Sequence, residues 1–134
     1  MTYIVAYIAA AIGFLLLDFL WLGLVAKGFY RQEIGALLLE KFNMAAAIGF
    51  YLIFIVGIVI FAIAPALQAG SWKTALLYGA LFGFFTYATY DMTNLATLKG
   101  WSLSVTFVDI AWGTFLTAVG ALLGYMAARA LGGS

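Results

Sequence analysis

Residues 44–64 read MAAAIGFYLIFIVGIVIFAIA, a run without a single charged side chain that stops at Pro65, the only proline in the chain. A hydrocarbon core about 30 Å thick takes roughly 20 helical residues to cross, and this run is long enough. Three more stretches share its character: 3–25, interrupted only by Asp18, then 73–95 and 103–128. Backbone groups in lipid must be satisfied within the segment, so each is expected to be a helix, and four segments are far too few strands for a barrel. The fold expected is all-α. Residues 1–134 form one transmembrane domain of a polytopic membrane protein, with four transmembrane helices in a bundle.

Composition agrees and excludes much chemistry. The chain is 67% hydrophobic and 18% aromatic but only 8% charged, whereas a soluble domain carries charge on about a quarter of its residues. A net charge of +1 leaves no basic footprint for nucleic acid. The absence of Cys removes disulfides, thiol nucleophiles and thiolate metal sites. The absence of His removes the commonest general base and the usual haem and zinc ligand. Lys27, Lys41, Lys73 and Lys99 all fall at helix ends, so no buried lysine is expected for a retinal Schiff base. No Lys or Arg precedes Lys27, and Asp18 interrupts the first apolar run. That run is therefore expected to persist as a membrane helix and not to be cleaved as a signal.

The connection 27–43 mixes Lys27, Arg31, Glu33, Glu40 and Lys41 with Phe29, Tyr30, Ile34, Leu37 and Leu38. It reads as a short amphipathic helix along the interface between helices one and two; a plain solvated loop is the alternative. Ser71 and Ser102 stand where caps of the third and fourth helices belong, and Trp72 and Trp101 where an aromatic belt belongs. Lys27, Arg31, Lys41 and Lys99 lie on one side, Lys73 and Arg129 on the other. The excess places the first set in the cytoplasm and both termini outside.

Three acids fall within the spans. Asp18 is late in the first, Asp91 near the end of the third, Asp109 one or two turns into the fourth. At 1.5 Å per residue all three lie in the half of the membrane nearest the four basic residues. Ala75, Gly79, Gly83, Tyr87 and Asp91 recur every four residues, as do Asp109, Gly113, Thr117 and Ala121. Each acid thus ends a ridge of small residues that lets a second helix approach closely. The apolar helix 44–64 is left as the lipid-facing one.

A carboxylate costs about 2.5–3.5 kcal/mol on insertion scales, and no Lys or Arg lies at matching depth. One or more acids should then hold a proton, or a cation should sit among them. A divalent ion on Asp18, Asp91 and Asp109 would be Mg²⁺, Mn²⁺ or Ca²⁺ by ligand chemistry. The plainer alternative satisfies each acid with Asn94, Thr93, Tyr90, an indole or water. Trp21 and Trp112 each stand three residues after an acid, on the same helix face. They are either interface anchors or the wall of an aromatic cavity with an acidic floor. A weak echo with one gap relates Asp18 and Trp21, then Lys27-Gly28-Phe29, to Asp91 and Asn94, then Lys99-Gly100-Trp101, a match that chance in so Leu-rich and aromatic a chain could equally supply. It would pair helices one and two with three and four as parallel repeats.

Tyr90-Asp-Met-Thr-Asn-Leu-Ala-Thr-Leu-Lys-Gly-Trp101, Val108-Asp-Ile-Ala-Trp-Gly-Thr114 and Leu17-Asp-Phe-Leu-Trp-Leu-Gly23 together resemble the DUF2177 family of small bacterial membrane proteins. The resemblance spans essentially the whole chain and implies a bacterial inner-membrane location. It also implies a neighbourhood of fatty-acid modification, hence lipid chemistry, though the family's function is unknown.

Three functions compete. The first is binding or modification of a lipid or other amphipathic molecule at Asp18, Asp91, Asp109, Trp21, Trp112, Asn94 and Thr93, with Tyr87 or Tyr90 as a proton donor. The second is a proton- or cation-coupled transporter acting as a homodimer. The third is an assembly subunit whose glycine ridges are binding faces. Whether the chain is an enzyme stays open at this level.

Overall fold

The computed structural model describes residues 1–26, 28–38 and 41–131; Lys27 and Glu40, which entered the charge pattern above, lie outside them. The order is α1 (Thr2–Leu20), α2 (Phe29–Ile34), α3 (Met44–Ile58), α4 (Ala64–Ala69), α5 (Trp72–Thr97) and α6 (Leu103–Leu131). Wide π turns follow α1 at Trp21–Val25 and α3 at Val59–Ile63, and Gly35–Leu37 forms a 3₁₀ turn. The fold is all-α, with no strand among the described residues.

Three helical stretches are long and apolar enough to cross a membrane: Thr2–Leu24, Met44–Ala69 and Leu103–Leu131. The expected third span, α5, has 26 residues but is not among them, because its lower half is rich in Thr, Tyr, Asp and Asn.

The second span does not stop at Pro65. It continues to Ala69 and ends at Gly70, whose φ of 65° is the left-handed conformation that terminates helices. Proline lacks an N–H and crowds the carbonyl four residues earlier, here that of Phe61. The π turn absorbs this: the Ala64 N–H bonds to the Val59 carbonyl, five residues back, so the chain passes Pro65 without breaking.

The caps form as expected. Ser71 accepts from the Thr74 N–H at 3.3 Å and Ser102 from the Val105 N–H at 3.1 Å. Asn43 caps α3 through the Ala46 N–H at 3.1 Å. Ser102 also donates to Glu33 Oε1 at 2.5 Å, which ties α2 to the start of α6.

Packing is organised around α6, which lies against both α5 and α1. The α5 ridge meets the α6 ridge directly. Cβ atoms at Gly79 would strike Ala118 and Ala121, at Gly83 the Gly113 carbonyl and Thr117, and at Gly113 the Tyr87 ring. On α1, Ala6, Ala10, Phe14 and Asp18 are buried, a third four-residue ridge ending in an acid. Ala6 and Ala10 meet α6 at Gly124, and Phe14 and Ala10 meet it at Gly120.

The apolar helix α3 is not simply lipid-facing. Ile48, Leu52, Ile53 and Val56 are exposed, but Phe54, Ile55 and Ile58 are buried in the core. A helix that is apolar nearly all round has little moment to orient it, so composition did not reveal this inward face.

Candidate functional site

The ridges bring Asp18 and Asp109 to the same cavity. It has a volume of about 380 Å³, with Trp21, Tyr51, Tyr87 and Trp112 among its aromatic walls and Thr86 as a further polar group. The π turn after α1 starts at Trp21, and that residue lines the cavity. Such turns recur at functional sites because they re-aim a side chain without ending the helix.

Each carboxylate has its own donors. Asp18 is buried; its Oδ2 accepts from the Tyr51 hydroxyl at 2.6 Å and its Oδ1 from the Trp112 indole at 3.1 Å. Asp109 Oδ1 accepts from the Tyr30 hydroxyl at 3.0 Å, and Tyr30 in turn accepts from the Trp21 indole at 3.2 Å. The two indoles stack, with ring centroids 4.5 Å apart and planes at 10°. A continuous chain of contacts therefore runs Asp18, Trp112, Trp21, Tyr30, Asp109. Hydrogen bonds to an ionised group contribute about 1.5–3 kcal/mol each, comparable to the insertion cost of the carboxylate they serve. Burial, then the Asp109 carboxylate, raises the pKa of the Tyr30 hydroxyl above its ordinary value, so it remains a donor.

Asp91 stands apart from Asp18. It is fully buried and lies near Asp109. It lines a second cavity of about 450 Å³, to which Asp109, Tyr30 and Tyr90 also contribute. Asp109 is thus common to both cavities.

The three acids considered above as ligands for a divalent ion are not grouped: among the described residues no three acids are placed to hold a metal. Asp18 lines only the first cavity and Asp91 only the second, with Asp109 common to both. Similar positions along three helices did not guarantee a common point, because indoles and phenols on the same faces take up the donors' places around each acid.

Of the other sequence-derived candidates, Trp21, Trp112, Tyr87 and Tyr90 line the first cavity. Thr93 and Asn94 line neither. Thr93 is exposed and turns its hydroxyl back to the Thr89 and Tyr90 carbonyls of its own helix, the usual way a mid-helix threonine is satisfied. Asn94 interacts with the Tyr90 hydroxyl.

Sequence reasoning missed Tyr30 and Tyr51, which supply the hydroxyl donors. A signal existed for Tyr51. A hydroxyl in an otherwise apolar span needs a partner, and a carboxylate at similar depth needs a donor. Tyr30 carried no such mark within its mixed connection.

No curated protein and no solved structure matches the chain. The family model DUF2177, described as a predicted membrane protein, matches residues 3–126. The chain, a multi-pass membrane protein by its helices, belongs to the DUF2177 family.

Proposed function

We propose that this protein binds an amphipathic, lipid-like molecule within the membrane, its apolar part in the aromatic cavity and its polar end toward the acids. The observation that carries this is the sharing of one largely aromatic cavity by Asp18 and Asp109, both already supplied with donors. Ligand pockets are typically mostly apolar with a few placed polar groups, and this one has that make-up.

In this reading α5 is the fourth span of a helical bundle in the inner membrane. Thr86, Thr89, Thr93 and Thr97 all donate to carbonyls four residues back, which lowers the cost of their hydroxyls in lipid. The same reading lays α2 along the interface and keeps both termini periplasmic. Tyr30 and Ile34 of α2 are turned inward, while Arg31, Gln32 and Glu33 are exposed.

The test is lipid mass spectrometry on cells lacking the gene and on cells carrying Asp18→Asn or Asp109→Asn, together with the lipids that co-purify with each protein. A changed profile or a lost co-purifying species in the variants supports the reading. Unchanged profiles with no bound amphiphile in the wild type overturn it. A second reading, proton- or cation-coupled transport by a dimer, is favoured by Asp109 lining both cavities. Proteoliposomes showing substrate-driven proton movement would favour it over simple binding.

A further inference from the structure

The second cavity holds groups whose bonding the protein leaves incomplete. Both Asp91 oxygens are buried without a donor from the protein, and the Trp101 indole N–H is buried without an acceptor. Both residues line this cavity, and exposed Arg31 of α2 lines it as well. A buried polar group left unpaired costs about 1–3 kcal/mol, more when charged, so these groups define what an occupant must supply. Asp109 does not meet the need alone. One of its oxygens already accepts from Tyr30, and neither Asp91 oxygen has a partner within the protein.

We propose that this cavity is a headgroup site for a zwitterion bearing a primary ammonium and a phosphate. The ammonium brings three N–H donors and a positive charge to Asp91 and Asp109. The phosphate accepts from the Trp101 N–H and faces the Arg31 guanidinium, a pairing that is strong because both partners are charged. A trimethylammonium group has no N–H and leaves Asp91 unpaired. A phosphoglycerol group has hydroxyl donors but no cation. The cavity is therefore selective for a phosphoethanolamine-type head.

The two cavities share Leu22, Tyr30, Tyr90 and Asp109. A head at Asp91 consequently leaves the aromatic cavity next door for the start of an acyl chain. The assignment rests on the preceding reading of that neighbouring cavity and names the head of the amphiphile it takes.

The experiment offers the purified full-length protein equal amounts of phosphatidylethanolamine, phosphatidylcholine and phosphatidylglycerol of identical acyl chains. Retained lipid is read by native mass spectrometry. Wild type should retain phosphatidylethanolamine over phosphatidylcholine by about tenfold, the worth of one hydrogen bond to a charged group. Asp91→Asn should bring that ratio close to one. Trp101→Phe should weaken retention of phosphatidylethanolamine while sparing its preference over phosphatidylcholine.

Equal retention of all three lipids by wild type overturns the headgroup site while leaving chain binding intact; retention of none overturns both. The wild-type comparison stands even if a variant fails to fold. A last arm competes the bound lipid with soluble phosphoethanolamine. Displacement at equal concentration identifies a water-soluble amine as the source of the ammonium, and resistance identifies the lipid.

Discussion

The indole of Trp21 lies flat on that of Trp112, with centroids 4.5 Å apart and planes at 10°, so the turn after α1 and the first third of α6 are joined through two rings. Each ring also donates its N–H into the site: Trp112 to Asp18 and Trp21 to Tyr30. The stack couples the two acids mechanically, since neither indole can turn without disturbing a hydrogen bond and its partner. Replacing either Trp by Ala should cost stability. A double-mutant cycle should return a coupling of about 0.5–1.5 kcal/mol, measured by unfolding in micelles. A coupling of zero would mean the rings act independently.

Tyr51→Phe removes the donor to Asp18 Oδ2 and changes nothing else in shape. The expected loss is about 1–3 kcal/mol, the cost of stranding a buried acceptor. Tyr7→Phe removes a hydroxyl that bonds the Leu52 carbonyl at 3.1 Å in an exposed position, and should cost less. Melting of the two variants side by side checks the order.

Asp18→Asn should fold nearly as well as wild type. The Asn carbonyl oxygen can take the Trp112 N–H, and the Tyr51 hydroxyl can reverse and accept from the amide, since a hydroxyl does both. Asp18→Ala strands both partners and should be worse by about 1–3 kcal/mol. Equal stability of the Asn and Ala variants would show that the carboxylate's bonds carry no weight.

Gly113→Ala places a methyl against the Tyr87 ring, and Gly83→Ala places one against Thr117 and the Gly113 carbonyl. Each should destabilise the α5–α6 contact by about 1–3 kcal/mol, the usual cost of overpacking. Gly49→Ala, where a Cβ meets nothing within 4 Å, should be neutral or mildly stabilising through helix propensity. Thermal midpoints of the three variants in one detergent provide the comparison.

Much of the scaffold was legible because lipid imposes a simple rule on the backbone. Long apolar runs between charged connections became helices, Ser71 and Ser102 became caps, and the small-residue ridges of α5 and α6 met face to face. The exceptions are physical. Pro65 ended the span on paper because a proline cannot continue an ordinary helix; a single wide turn upstream let it pass. The inward face of α3 had only the Tyr51 hydroxyl to announce it.

For the site, sequence alone determined on which helices the acids lie and how far along each, since these follow from the apolar runs and helical rise. Which acid meets which partner was decided only by the tertiary structure. The sharing of one cavity by Asp18 and Asp109 and of another by Asp91 and Asp109, and the arrival of Tyr30 and Tyr51, all depend on helix rotation and approach. Those are set by the packing of side chains from different segments, a property that no single segment carries within itself.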